Sequence, residues 1–381
     1  MSWTLPLTDL QLSEDDIAAF LSVLEGGWLT MGPRTHEFEQ TFAERFGVRH
    51  AVAVSSGTAA LHLALLACGL EPGNEVLVPA MTFVAAPAAV RYCGARPVLI
   101  ESIGPADLNM DPDDAARQIG PRTRAILATH WLGYACDAAA LESLCKEHGL
   151  ILIEDCAQSI TALASDGRVT GTIGTAACFS FFSKKQLAVG EGGMILTSDD
   201  VLAAKARSLR SHAMTTVTWD RHRGHAESYD VVDVGFNFRL DEPRAALGLS
   251  RMRRLDADVE RRRRLVRRYR ELLGDVAGVT IPWSDEDVER SSHFGFAILL
   301  DSWDARDRLA DELGARGIQT TRYPALTSLS DYRDHPPRPR TEELANRHLL
   351  LPLSSTYSEQ DAELVADHVA RIVAGDAART D

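Results

Sequence analysis

The chain has 381 residues, with 40 Lys plus Arg against 54 Asp plus Glu and a formal charge of −14. That balance argues against nucleic acid or an anionic membrane surface as the main partner, and no run approaches the roughly 18–20 unbroken apolar residues that a membrane span needs. A hydrophobic content of 45% with 25% charged residues fits a globular chain with a sizeable core, long enough for two domains.

Residues 13–25, opening on Ser13-Glu14-Asp15-Asp16 and stopped by Gly26-Gly27, read as a capped helix. A turn from Trp28 to Pro33 leads into a second helix over 34–46. Short apolar runs then recur at 50–54, 75–79, 97–100, 124–130, 150–154, 177–182 and 193–197. Helical patterns lie between or beside them at 58–68, 84–93, 112–118, 138–147 and 200–210. Strands at this spacing, apolar on both faces and separated by helices, predict an α/β fold with a mostly parallel, helix-covered sheet.

After residue 245 the texture changes. Residues 242–273 read as one long helix or two abutting ones, rich in arginine from Arg251 to Arg270. Asp256, Asp258, Glu260 and Glu271 are interleaved with those arginines, which predicts a solvated face or subunit contact and not a nucleic-acid handle. A strand at 293–300, helices at 303–316 and 359–374, and an irregular loop at 330–341 complete the chain. The expected division is a large domain over 1–245, including the N-terminal helical segment, and a smaller α/β domain over 246–381. The six cysteines show no CxxC spacing and fall in apolar or helical stretches, so they are read as reduced, buried thiols of a cytoplasmic protein. The first residues lack the layout of a signal peptide, and no metal site is predicted.

Lys185 carries the chemistry. The chain has four lysines, at 146, 184, 185 and 205, so arginine supplies nearly all positive charge. Two of the four close the run Phe179-Ser180-Phe181-Phe182-Ser183-Lys184-Lys185, just before Gly190-Glu191-Gly192-Gly193. An amine in aromatic surroundings is desolvated, which lowers its pKa and makes it a nucleophile toward aldehydes. Three further features belong with it. Val54-Ser55-Ser56-Gly57-Thr58 is a strand end, a small-residue turn and a helix start, suited to a phosphate group. Glu154-Asp155 ends a buried strand, where a carboxylate can hold a protonated ring nitrogen, and strand alternation leaves open which of the two faces the site. Phe83 ends another strand and can stack on a flat ring, or belong to the core. A phosphate cradle, a ring stacker, an acid and a lysine are together what pyridoxal 5′-phosphate requires.

With these motifs the chain resembles the DegT/DnrJ/StrS family of sugar-nucleotide aminotransferases, of the pyridoxal-phosphate fold type I, over essentially its full length. The matching stretches include Gly32-Pro33, Ser55-Ser56-Gly57-Thr58-Ala59-Ala60-Leu61, Glu154-Asp155-Cys156-Ala157-Gln158-Ser159, Ser180-Phe181-Phe182 with Lys185, Gly190-Glu191-Gly192-Gly193 and Gly235-Phe236-Asn237-Phe238-Arg239. The resemblance implies that Lys185 is the Schiff-base lysine and general acid/base, and that Asp155 pairs with the pyridine nitrogen. It implies that Gln158 lies near the ring and its phenolic oxygen, that Phe83 stacks on the ring, and that Gly57, Thr58 and Ser180 bind the phosphate. Asn237 would reach the phosphate of a neighbouring subunit's cofactor, which implies a homodimer with shared sites. The cofactor would alternate between pyridoxal and pyridoxamine phosphate, with L-glutamate or glutamine as amino donor and a nucleotide-linked ketosugar as acceptor.

Three positions depart from the family's usual pattern: Ala213 where glycine is common, Pro243 in place of an apolar residue, and Arg322 where histidine often precedes Tyr323-Pro324. The segment from Trp219 to Tyr229 joins cations and aromatics, and Arg221, Arg223 and Tyr229, with Tyr323, are the residues expected to hold the nucleotide sugar. The segment resembles the branch acting on dTDP-4-keto-6-deoxyhexoses. The other readings are a 3-ketosugar or keto-cyclitol aminotransferase, a sugar dehydratase of the same fold, whose relatives carry histidine in place of the lysine, and a non-catalytic regulator that keeps the fold.

Overall fold

The computed structural model describes residues 3–216, 218–224 and 227–380. Two helices, α1 (Glu14–Gly26) and α2 (Pro33–Phe46), precede β1 (His50–Val54) and α3 (Gly57–Ala67). Next come β2 (Glu75–Pro79), α4 (Ala85–Tyr92), β3 (Arg96–Ile100), a hairpin of β4 (Ser102–Gly104) and β5 (Asp107–Met110), and α5 (Pro112–Gln118). They are followed by β6 (Thr123–Thr129), α6 (Ala138–His148), β7 (Ile151–Asp155), β8 (Ala176–Ser180), β9 (Gly193–Thr197) and α7 (Asp200–Arg210). The remainder runs α8 (Thr218–His222), α9 (Glu242–Met252), α10 (Leu255–Leu273), β10 (Val279–Thr280), α11 (Asp285–Arg290), β11 (Phe296–Leu300), α12 (Trp303–Ala315), α13 (Pro339–Arg347), β12 (His348–Leu351) and α14 (Glu359–Thr380).

Seven strands form one sheet in the order β1-β9-β8-β7-β6-β2-β3. All point the same way except β9, which is antiparallel to both of its neighbours. The expected α/β architecture is therefore present, and each sequence-predicted strand of this sheet lies within two residues of its observed bounds. A second sheet, β10-β11-β12, is antiparallel throughout.

Local chemistry explains these boundaries. Ser13 accepts the Asp16 N–H while Asp16 accepts the Ser13 N–H, a capping box that starts α1, and Gly27 at φ 74° ends it. Glu242 does similar work at long range. Its carboxylate accepts the N–H groups of Gly32, Arg34 and Thr35, each at 2.8 Å, and so fixes the start of α2 against α9.

Of the two readings for 242–273, the two abutting helices hold, with the break at Arg253-Arg254. Two expectations change. The loop at 330–341 holds a short 3₁₀ turn, Ser330–Tyr332, and the start of α13. The arginine-rich stretch is not wholly a solvated face, because Arg251 and Arg262 are 5% and 3% exposed. All six cysteines are free thiols, five of them buried. Among the described residues, no helix is long and apolar enough to cross a membrane.

Candidate active site

The carboxyl ends of β1, β2, β6, β7 and β8 share one edge of the sheet, the place where open α/β sheets bind ligands. At the end of β1, Ser56 caps α3 by accepting the Ala59 N–H at 3.1 Å. The Gly57 and Thr58 N–H groups open the helix directly after that cap, at the positive end of its dipole. Along β8, alternation sends Phe179 and Phe181 into a cluster with Phe38, Phe42 and Phe46, and turns Ser180 to the opposite face, against Gly57. A Cβ on Gly57 would lie 2.7 Å from the Ser180 Cβ, so only glycine lets the two ends close together.

The two neighbouring acids at the end of β7 part company. Glu154 turns away from the edge. Its Oε1 accepts the N–H groups of Ile173 and Gly174 at 2.8 and 2.7 Å, and its Oε2 accepts Gly171 N–H at 2.8 Å and meets His130 Nε2 at 3.0 Å. Because His130 Nδ1 accepts the Cys136 N–H, the ring proton sits on Nε2 and is donated to Glu154. His130, Glu154 and Cys156 place ligand-type atoms within 4.8 Å of one another, but both Glu154 oxygens are already committed to bracing the loop after residue 170.

Asp155 is the other of the two acids. It is 5% exposed, and its Oδ1 accepts the Ala157 N–H at 3.0 Å. Burial raises its pKa, opposed by the Ala157 N–H and by the charge of Lys185. Lys185 feels the reciprocal pull. Burial lowers its amine to about 8, against the attraction of Asp155. The Nζ lies 4.3 Å from the centre of the Phe294 ring, a cation–π contact that lets the amine sit in apolar surroundings. The lysine loop is held by its own backbone: Lys185 N–H donates to Phe182 O at 2.8 Å and Val189 N–H to Phe181 O at 2.8 Å. Gln186 then staples it to the acid turn, donating from Nε2 to Gln158 O at 2.9 Å and Ser292 O at 3.2 Å.

The other predicted residues fall as follows. Gln158 is buried, and its Oε1 accepts Leu132 N–H at 2.7 Å, so Nε2 is the end of the amide able to donate to a ligand. Phe83 is 55% exposed in the loop between β2 and α4, which removes it from the core. Asn237 is exposed and bridges Ser211 through its backbone. Tyr323 donates its N–H to His348 Nε2 at 3.0 Å and packs edge-on to Trp131. It lines a cavity of about 210 Å³ together with Lys184, Phe294 and Arg322. Arg221 and Tyr229 stack on each other at 4.9 Å, and Arg223 lies 5.9 Å from the Trp219 ring. Trp219 and His222 in turn contact Trp28. Residues 225 and 226 of this segment lie outside the described residues. Phe294 and Trp131 were missed in the sequence, where neither stands in a recognisable motif. A larger cleft of about 710 Å³ between α10 and α11 holds none of the predicted site residues.

The profile of the DegT/DnrJ/EryC1/StrS aminotransferase family matches residues 10–370. The chain belongs to that family. It is 36% identical over 368 residues, 95% of each chain, to dTDP-4-dehydro-2,3,6-trideoxy-D-glucose 4-aminotransferase of Saccharopolyspora spinosa. It is 41% identical over 303 residues, 79% of each chain, to GDP-perosamine synthase of Caulobacter vibrioides. A crystal structure of S. venezuelae DesV in complex with a ketimine intermediate superposes with a TM-score of 0.89 at 33% identity, covering 98% of this chain and 99% of that one. This member of the DegT/DnrJ/EryC1/StrS family is therefore a sugar aminotransferase of nucleotide-sugar or deoxysugar biosynthesis.

The departures noted in this aminotransferase's sequence have physical counterparts. Ala213 is fully buried at φ 53°, a left-handed conformation that glycine adopts without strain. Pro243 sits in the first turn of α9, where the missing N–H costs nothing. Arg322 is exposed at the rim of the Tyr323 cavity.

Proposed function

We propose that this aminotransferase uses pyridoxal 5′-phosphate to move an amino group from L-glutamate or glutamine to a nucleotide-linked ketosugar, a dTDP-4-keto-6-deoxyhexose. The observation that carries the reading is the Lys185 amine, lowered to about 8 by burial and set against buried Asp155 at the ligand edge of the sheet. The residues present suit the cofactor. The Gly57–Ser180 closure at the start of α3 suits its phosphate, Asp155 its ring nitrogen, exposed Phe83 its ring face and Gln158 Nε2 its phenolic oxygen.

When bound, the cofactor supplies an electron sink for a carbanion. This chain's residues do the rest. Lys185 takes a proton from the amino donor and returns it at a neighbouring carbon, and in the second half-reaction it does so in reverse. Asp155, ionised, keeps the ring nitrogen protonated through a charge-assisted hydrogen bond. Asn237, exposed on its strand-like segment, completes the phosphate site of a partner subunit in a homodimer. The same reading divides the chain into a cofactor-binding part, 1–245, and a smaller part, 246–381, with α9 spanning the junction.

The amine's environment sets a pH dependence. A lysine with a lowered pKa is neutral, and so nucleophilic, above about 8. The rate at which the apoenzyme captures pyridoxal phosphate is expected to rise through that pH and level off above it, as followed by stopped-flow absorbance. A rate still climbing toward the ordinary lysine value of 10.5 would place the amine in water.

The dTDP-sugar assignment is supported by the name of the 36% relative and by the Arg221–Tyr229 and Arg223–Trp219 stacks, which present guanidinium forks suited to a diphosphate. A GDP-linked sugar is the second reading, favoured by the 41% relative. A coupled assay with glutamate and a panel of dTDP- and GDP-ketosugars separates them. Arg223→Ala should raise the KM for the sugar nucleotide about tenfold, in keeping with loss of one charged hydrogen bond, and leave the glutamate KM unchanged. Equal effects on both substrates would remove Arg223 from the sugar site.

A further inference from the structure

Beside the lysine loop lies a second, smaller pocket of about 50 Å³, to which the mechanism above assigns no group. One wall is residues 183–186, and the others are residues 8–11, the α9–α10 junction and residues 355–356. Five cationic side chains besides Lys185 line it: Lys184, Arg251, Arg254, Arg261 and Arg262. Two carboxylates, Asp9 and Asp258, face them. A third, Asp16, binds Arg254 and lies 3.8 Å from Arg251.

The arginines here are poorly satisfied for their burial. Arg251 is 5% exposed, yet its hydrogen bonds to Gln11 O and Gln186 O are both 3.5 Å long. Arg262 is 3% exposed and reaches His293 O, Phe294 O, Leu353 O and Thr8 Oγ1 at 3.1–3.4 Å. The Nε atoms of Arg251, Arg254 and Arg262 are buried without a hydrogen-bond partner. Asp258 approaches Arg261 at 3.4 Å and Arg254 at 3.8 Å. Burial lowers the pKa of Arg262 to about 10, relieved by Asp258 and worsened by Arg251, so positive charge here exceeds its compensation. Guanidinium groups this buried are normally paired, because an unpaired one costs several kcal/mol.

We propose that this pocket binds one small oxyanion group, and that its occupant locks the lysine loop onto the junction of α9, α10 and the N-terminal segment. One water needs roughly 10–15 Å³ of such space, so the pocket takes an ion of a few heavy atoms and not a sugar nucleotide. Planar guanidinium forks select tetrahedral or carboxylate oxygens over a halide. The oxyanion has two sources, free inorganic phosphate or sulfate and the side-chain carboxylate of a dicarboxylate donor.

The test uses the holoenzyme, whose cofactor already fills the phosphate cradle at Gly57. Thermal melting and calorimetric titration are run with inorganic phosphate and with sulfate, against chloride at matched ionic strength. Phosphate is expected to raise the melting temperature in proportion to the logarithm of its concentration. Arg251→Met should weaken that affinity about tenfold or more, and Lys184→Ala, at the exposed rim, by a smaller factor. If the donor is the source, L-glutamate competes with phosphate and its KM rises in Arg251→Met. If a free ion is the source, the donor KM stays unchanged. Stabilisation no greater than with chloride overturns the site, as does stabilisation undiminished in both variants. Displacement of phosphate by the nucleotide sugar overturns it too, since that ion then occupies the substrate's diphosphate site.

Discussion

Lys185→Ala should lower turnover by roughly 10³-fold or more, at the upper end of what a single acid–base group supplies, because the proposed mechanism gives one amine the work of both nucleophile and proton carrier. The Nζ is placed for both duties by the backbone of its loop and by the Phe294 ring 4.3 Å below it. Folding should survive the change. The side chain removed is a desolvated cation, so the melting temperature is expected to stay level or rise. Three measurements separate the effects: turnover in the coupled assay, the melting curve, and intact mass after borohydride treatment with pyridoxal phosphate. The wild type should gain a reducible adduct at position 185 and the variant none. Turnover near the wild-type level in the variant would remove Lys185 from the chemistry and the sugar-aminotransferase mechanism with it.

The second large effect concerns stability. Glu154→Ala should destabilise the protein by about 3–5 kcal/mol, the cost of breaking a buried charged network. The change strands the N–H groups of Gly171, Ile173 and Gly174 and the Nε2–H of His130, all of which end on this one carboxylate. Burial works to raise the pKa of Glu154, but His130 and the backbone N–H groups prevail and hold it below the ordinary 4.5. Its stabilisation is therefore complete above about pH 4.5 and drains away as pH falls through the lowered value. Urea unfolding of both proteins at neutral pH and in acid should show a gap that narrows in acid. The adjacent acid should behave oppositely. Asp155→Asn should fold as well as the wild type, because burial already disfavours its charge, and lose about 10–100-fold in turnover with the charged hydrogen bond to the ring nitrogen. Two variants one residue apart, one losing stability and the other losing turnover, are the signature of the division of labour at the end of β7.

That division was not legible in the sequence. Strand alternation says that Glu154 and Asp155 face opposite ways, but only the loop after residue 170, folded back with its N–H groups in a row, shows which one is structural. The seven strands of the large sheet were legible because each is a short apolar run bounded by turn residues. β12 and α13 were not. The helix begins among prolines and charges that look like loop, and the four-residue strand follows it with no break. Lys185 stood out by the rarity of lysine and its aromatic run, and Gly57 by the strand–turn–helix pattern around it. Phe83 was ambiguous until its exposure was known. Phe294 is brought beneath the amine solely by tertiary packing, and the isolated His293-Phe294-Gly295 segment carries no local sign of that role.

The reversed direction of β9 bears on how this protein is made. β1 sits at the edge of the sheet and, among the described residues, its strand partner there is β9, Val54 lying opposite Gly193. During synthesis the first strand to leave the ribosome therefore waits unpaired until residues 193–197 follow it, after Lys185 has emerged. Such distant pairings are slow to form and expose strand edges meanwhile. The corner formed by Gly57 and Ser180 is thus the last of the large sheet to be completed, and a chain arrested before residue 193 would carry Lys185 with the strand ahead of Gly57 still unpaired.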